Sequence, residues 1–299
     1  SGLYAMFAPV EVRRADPNLC RQCRTRDCYH GNQHAPACPT SLLLPAVKEN
    51  TYCIQCGHCV RSCPSGNVAF NLRSFAGDLI NFSRPRADES ILAIILLALT
   101  AFHGLTMTPF WEAPNGFSVI GWLRQSLGVG TLAAFSVGMA GMLAIPILLY
   151  WLLCVATRRL AGDSSVSLRK VFLYFAYSLL PVALFYHLAH NSMHFFMEAQ
   201  YLLPLLSDPL GVGANYFGTA AWRPGPMLSA QTIWWLQVGL VVVGHIFGLV
   251  IAHHASRRLY SDPRRARLSL LPMLGGMVLY SWFSLWILHL DMNMRSTLM

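Results

Sequence analysis

A mainly α membrane protein is predicted, in which a five-helix transmembrane bundle follows a small cysteine-rich domain. Three observations carry that expectation. The 299 residues are 55% hydrophobic and only 12% charged, a balance foreign to an ordinary soluble protein of this length. Apolar runs long enough to cross about 30 Å of hydrocarbon recur near 90–110, 131–156, 170–197, 232–255 and 268–290. Eight of the nine cysteines fall between Cys20 and Cys63. The net charge of +9 comes from arginine clusters beside the apolar runs rather than from a basic stripe with interleaved aromatics, so no nucleic-acid partner is expected.

Residues 1–88 are polar, punctuated by Pro, Gly and Asn, and dominated by two cysteine runs that each finish in Cys-Pro. The second, Cys53-x2-Cys56-x2-Cys59-x3-Cys63-Pro64, has the bacterial ferredoxin spacing for a [4Fe–4S] cluster. The first, Cys20-x2-Cys23-x4-Cys28-x9-Cys38-Pro39, is looser. Three close thiolates wrap one corner of a cubane, while in two-cluster ferredoxins the fourth cysteine ligates the other cluster. That logic places Cys20, Cys23, Cys28 and Cys63 on one cluster, and Cys53, Cys56, Cys59 and Cys38 on the other. A zinc ribbon needs two pairs of ligands rather than two triplets with a trailing Cys-Pro. A disulfide framework suits small secreted domains, not a domain with inside-type charge. The expected fold is a ferredoxin-like 2x[4Fe–4S] domain of short strands and helical turns packed round the metals, its apolar core being too small to stand alone. His30, His34 and His58 fall inside the runs and are expected beside the clusters or on the surface. Cys154, alone in an apolar run, reads as a small hydrophobe.

Residues 89–299 carry the five helices. A Pro/Gly/Trp-containing loop (112–130) follows the first, and a longer loop (198–231) with Pro204, Pro209, Pro224 and Pro226 follows the third. Phe117, Ile120, Trp122 and Leu123 fit either a short interfacial amphipathic helix or an irregular loop. Of the 22 lysines and arginines, only Arg124, Arg223 and Arg295 fall in segments on the side opposite the cysteine domain. The positive-inside rule therefore places that domain in the cytoplasm and the C-terminus outside an inner membrane, the loops Arg158 to Lys170 and Arg257 to Arg267 deciding the sign.

Polar residues at membrane depth are costly and functional candidates by default. Here they are chiefly histidines. His187, His190 and His194 share one face of the third helix, His245 lies within the fourth, His289 near the end of the fifth and His103 within the first. Three readings are open for His187, His190, His194, His245 and His289: paired imidazoles holding a haem b, a quinone site using a carboxylate such as Glu198 or Asp291, or interhelical hydrogen bonding. Met193, Met197, Met292 and Met294 nearby add a copper possibility, although a methionine stripe also serves as core filler.

The segment Gly2-Leu3-Tyr4-Ala5-Met6-Phe7-Ala8-Pro9-Val10-Glu11, followed by the two cysteine runs, resembles the membrane-bound polyferredoxins. These include the quinol-dehydrogenase membrane subunit of periplasmic nitrate reduction and the nitrous-oxide-reductase maturation regulator. The likeness covers roughly the first 75 residues; the five helices match no pattern of that family. In such proteins helices often precede the ferredoxin module, and with Ser-Gly-Leu-Tyr at the start an upstream part is expected. The resemblance and the cysteines imply an electron-transfer component of an oxidoreductase complex. It would link two [4Fe–4S] clusters to a haem b or quinone in the bundle, with other subunits of a redox complex and a soluble electron donor as partners. Arg21, Arg24, Arg26 and Arg61 are placed to favour a reduced cluster or to dock an acidic donor. The other expectation is a maturation factor that reduces copper or iron for a partner enzyme.

Overall fold

A computed structural model describes residues 2–81, 84–113 and 116–290. The chain divides into two compact units, Ser1–Glu89 and Ser90–Met299. Among the described residues it is mainly helical, with a single two-stranded sheet.

In the first unit a 3-10 turn (Gly2–Phe7) buries Leu3, Met6 and Phe7. Strand β1 (Val10–Arg14) pairs antiparallel with β2 (Val68–Leu72), Val12 facing Phe70 across the ladder. Between them come α1 (Pro17–Gln22), α2 (Asp27–His30), a 3-10 turn (Leu44–Ala46) and α3 (His58–Ser62); α4 (Gly77–Asn81) follows β2. These helices are only one or two turns long, too short to persist on propensity. Asp16 starts α1 by accepting from the Asn18 N–H, with proline at the first helical position. The apolar core is small, and a buried polar hub stitches it together. The Arg73 guanidinium donates to the carbonyls of Ala5, Met6 and Ala8 and pairs with Asp78, which also accepts from the Asn50 N–H.

Five helices are long and apolar enough to cross a membrane: Ala87–Thr106, Thr131–Ala161, Leu168–Ser207, Ala230–Leu259 and Pro263–His289. They fall where the apolar runs place them. The first is α5 and the second α7 (Thr131–Ala161), which stops at Gly162 in left-handed conformation after Arg158 and Arg159. The third span is not the single helix expected from 170–197. It breaks into α8 (Leu168–Ala176), α9 (Leu179–Glu198), a 3-10 turn (Ala199–Tyr201) and α10 (Leu202–Ser207). Pro181 causes the first break: it has no N–H for the Tyr177 carbonyl, and its ring crowds that turn. The Ser178 hydroxyl and N–H both close back on the Phe175 carbonyl instead. Helices α11 (Ala230–Leu259) and α12 (Pro263–His289) complete the set. The loop after α5 contains α6 (Val119–Leu127), capped by Ser118 at its start and by left-handed Gly128 at its end. The helical reading therefore holds for Ile120, Trp122 and Leu123, while Phe117 precedes the helix.

Helix α11 runs against α9 through Gly244 and Gly248, one turn apart. A Cβ at Gly244 would stand 2.7 Å from the Phe185 Cβ, and one at Gly248 2.8 Å from the Ser178 carbonyl oxygen. Small residues at this spacing let two membrane helices approach where no water drives them together. Side-chain bonds add to the packing. Gln237 donates to the Ala189 carbonyl (3.1 Å), Tyr150 to that of Phe172 (2.6 Å) and Tyr280 to that of Leu97 (3.1 Å). Replacing Gly248 by valine is expected to cost about 1–3 kcal/mol through overpacking against backbone that does not yield. Gly239→Val, on an open stretch of the same helix, is expected to change little. Denaturant unfolding in detergent compares the two.

Candidate functional site

The first unit sorts its eight cysteines into two sets. Cys20, Cys23, Cys28 and Cys63 line a cavity of about 230 Å³, together with Arg21, Arg26 and Asn67. Cys38, Cys53, Cys56 and Cys59 line a second cavity of about 40 Å³, with Thr40, Gln55 and His58. Each run thus supplies three cysteines to one cavity and its Cys-Pro cysteine to the other. Leu44, on the 3-10 turn, lines both.

Local backbone explains how so short a chain surrounds two cavities. Arg26, Ser41, Tyr52 and Gln55 adopt left-handed conformations, with φ between 53° and 64°. Each lies within three residues of a cysteine. Non-glycine residues pay strain there, and such bends turn consecutive N–H groups to one side, forming concavities that suit anions and Fe–S sites. Gly57 takes the same conformation between Cys56 and Cys59 without that strain.

Hydrogen bonds to sulfur follow. The Asn67 side-chain amide donates to Cys20 Sγ and its backbone N–H to Cys63 Sγ, both at 3.3 Å. Its amide is fixed by a reciprocal pair with Asp16, both bonds at 2.7 Å. Leu42 N–H donates to Cys38 Sγ (3.4 Å), and the Thr40 hydroxyl lies 3.5 Å from the same sulfur. The thiols are tuned apart accordingly. The backbone N–H of Arg26 and the Thr25 hydroxyl lower the pKa of Cys23. Burial works upward at Cys38 but is outweighed by Thr40, Leu42 and Ser41, so its pKa falls. Burial raises that of Cys28. Cys59 is pushed up to about 11 by burial, then by the neighbouring Cys53 and Cys56. Asn67, Thr40 and Thr25 were not legible as site residues, because no spacing marks them. His58 lines the second cavity and approaches the Ala37 carbonyl, while His30 meets Tyr29 edge to face and His34 meets Gln33.

In the second unit a cavity of about 350 Å³ lies among α5, α9, α11 and α12. Its lining includes His103, Tyr186, His187, His190, Val241 and Ser284. The His103 and His190 rings meet edge to face at 4.6 Å between centroids. His190 Nε2 lies 3.3 Å from His194 Nε2, and His194 Nδ1 lies 3.1 Å from Glu198 Oε2. The Tyr186 hydroxyl is buried with no hydrogen-bond partner among the described residues. His245 donates from Nδ1 to the Val241 carbonyl at 2.8 Å, and its buried Nε2 has no such partner either. Its ring faces that of Tyr186 at 6.3 Å.

Of the five histidines expected to bind a cofactor, His187 and His190 line this cavity. His194 joins through His190. His245 stands behind Tyr186 and does not line it, and His289 is exposed at the last residue of α12. Met193 and Met197 pack with Ile233 and Leu288 as core. Cys154 is wholly buried in the helical core. Asp291, Met292, Met294 and Arg295 lie outside the described residues.

No protein-family model, curated protein or solved structure matches this chain.

The thiolate is the form that alkylates, so a lowered pKa means reaction at lower pH. In reduced, metal-free protein Cys23 and Cys38 are expected to alkylate at lower pH than Cys28 and Cys59. Cys59, at about 11, holds only about 1% thiolate at pH 9 and reacts last. Site-resolved mass spectrometry across pH 6–11 checks the order.

Proposed function

We propose that this chain is a membrane electron-transfer subunit whose first unit binds two [4Fe–4S] clusters and whose histidine-lined cavity takes a quinone headgroup. One observation carries the first part: the eight cysteines fall into two sets of four, with Cys63 and Cys38 exchanged between the runs. A single zinc ion needs its thiolates about 2.3 Å from one point. Among the described residues no three His, Cys, Asp or Glu side chains are grouped to hold one ion. A cubane offers each thiolate a different iron. Bound there, each cluster supplies one-electron chemistry.

The chain's own residues set the terms of that chemistry. Two N–H···S contacts from Asn67, and Arg21 and Arg26, which outnumber Asp27 on the cavity wall, favour added negative charge in the Cys20/Cys23/Cys28/Cys63 set. The second cavity has no charged residue in its lining. The first site is therefore the one more easily reduced.

The ring contact at 4.6 Å between His103 and His190 favours quinone over haem b. Two imidazoles on opposite faces of one haem iron would stand roughly 6 Å apart between centroids, with the porphyrin between them. The cavity, lined mostly by apolar side chains with Tyr186, His103, His187 and Ser284 as polar points, has the character of a small-ligand site. The free Tyr186 hydroxyl is a donor suited to a carbonyl oxygen. The arginine distribution supports a cytoplasmic first unit in an inner membrane, where an acidic soluble donor and further redox subunits would meet it.

Anaerobically purified protein is expected to contain about eight iron and eight sulfide per chain. Cys38→Ser should perturb the cluster of Cys53, Cys56 and Cys59 and spare the other, as read by EPR. Zinc with negligible iron and sulfide would overturn the reading. For the cavity, calorimetric titration with a short-chain quinone analogue is expected to saturate, with affinity falling about fivefold in Tyr186→Phe through loss of one hydrogen bond. Absence of saturable binding by the wild-type protein would remove the quinone assignment.

A further inference from the structure

We infer that His190 and His194 form a transition-metal site at the C-terminal end of α9, held in register by Glu198. The inference goes beyond the cluster and quinone assignments and requires neither. His190 and His194 stand one turn apart on α9, so their rings project on the same side of the helix. Their Nε2 atoms are 3.3 Å apart. Two nitrogens bound about 2.05 Å from one ion at a tetrahedral angle are separated by roughly 3.3 Å. A good hydrogen bond from a nitrogen donor closes to about 2.7–3.2 Å. The pair is therefore spaced as two coordination vertices and at the long end for a hydrogen bond.

The second nitrogen of His194 supports this assignment. Its Nδ1 lies 3.1 Å from Glu198 Oε2. With Nδ1–H donating to the carboxylate, the Nε2 lone pair of His194 is left facing His190. A carboxylate that orients a ligating imidazole in this way is the usual companion of a metal-bound histidine. It fixes the tautomer and the ring orientation. One face of the pair meets the polar wall of the cavity: His190 lines it, with His103 in ring contact and His187 one turn earlier. Since no third side chain completes a donor group among the described residues, the remaining positions fall to His103 after a small rotation or to molecules in the cavity. Such an open site can hold an exogenous ligand.

The donor set names the metal class. Imidazoles with a carboxylate behind them suit divalent first-row ions such as zinc and cobalt(II). Among the described residues, the thioethers nearby that would select Cu(I), Met193 and Met197, pack with Ile233 and Leu288.

Cobalt(II) titration of the full-length, detergent-solubilised protein tests the site, because its spectrum reports both geometry and ligand type. One equivalent is expected to give visible d–d bands without the near-ultraviolet thiolate-to-cobalt band that binding at the cysteines would produce. His190→Ala and His194→Ala are each expected to abolish the d–d bands, and Glu198→Gln to weaken binding about 10- to 100-fold. Asn191→Ala, on the same helix, should bind as the wild type does. Glu198→Gln keeps both imidazoles, so it gives a graded result even where an alanine variant fails to fold. No d–d bands in the wild type, or bands that survive both alanine variants, would overturn the inference. The cluster assignment is judged separately, by iron and sulfide content.

Discussion

Eight thiols crowd two cavities in a unit of about ninety residues, and the charge they develop on ionisation must be met locally or the unit comes apart. Like charges at short range are costly where water is partly excluded. The local fold is organised round that demand. Left-handed residues beside the cysteines turn N–H groups inward, Asn67 and Leu42 donate to sulfur, and Thr25 and Thr40 add hydroxyls. Burial nevertheless keeps the Cys28 and Cys59 thiols reluctant to ionise. On the proposed reading, bound cations would complete an arrangement that hydrogen bonds begin. The Arg73–Asp78–Asn50 hub anchors the N-terminal turn to the segment after β2.

The helical unit answers the same demand with different means. No solvent competes within a membrane, so Gln237, Tyr150 and Tyr280 each find a backbone carbonyl on another helix. Gly244 and Gly248 let the α9 and α11 backbones approach closely enough for such bonds and for continuous packing. The Tyr186 hydroxyl and His245 Nε2 belong with Trp111 Nε1, Thr157 Oγ1, Gln237 Oε1 and the Tyr260 hydroxyl to the buried polar atoms that have no hydrogen-bond partner among the described residues, and of these Tyr186 lines the cavity. A polar atom left so typically costs about 1–3 kcal/mol, a penalty a bound ligand can relieve.

Much of this was legible in the residues, and the limits have physical causes. Long apolar runs place five helices because span length is a property of contiguous sequence. Pro181 marks the break in the third span in principle, since a missing donor is local information. The amphipathic stretch 117–123 was balanced between helix and loop, and the Ser118 and Gly128 caps tip Ile120, Trp122 and Leu123 to helix. The crosswise exchange of Cys63 and Cys38 follows from spacing alone. Asn67 does not: its value comes from lying beside Cys20, forty-seven positions away in sequence. The histidines divide in the same way. His187, His190 and His194 share a helix face by periodicity, whereas His103 reaches His190 only through packing of α5 on α9. His245 and His289 had equal claims from composition, but register turns one behind Tyr186 and leaves the other at a helix end.

The two polar sites also differ in how their donors are held, and this bears on what each can do. The cysteines sit on short turns whose conformation costs strain, so the first unit gains most from an occupant that locks the turns together. His190, His194 and Glu198 sit on successive turns of one long helix, where spacing is fixed by the 5.4 Å pitch whether or not anything is bound. Such a site is preorganised and surrenders little entropy on binding. A rigid pair of imidazoles beside an open cavity suits repeated binding and release of a ligand. A strained cage of thiolates suits a centre that stays in place while only its charge changes. On the proposed reading, the difference between a permanent redox centre and an exchangeable ligand follows the backbone that carries each set of side chains.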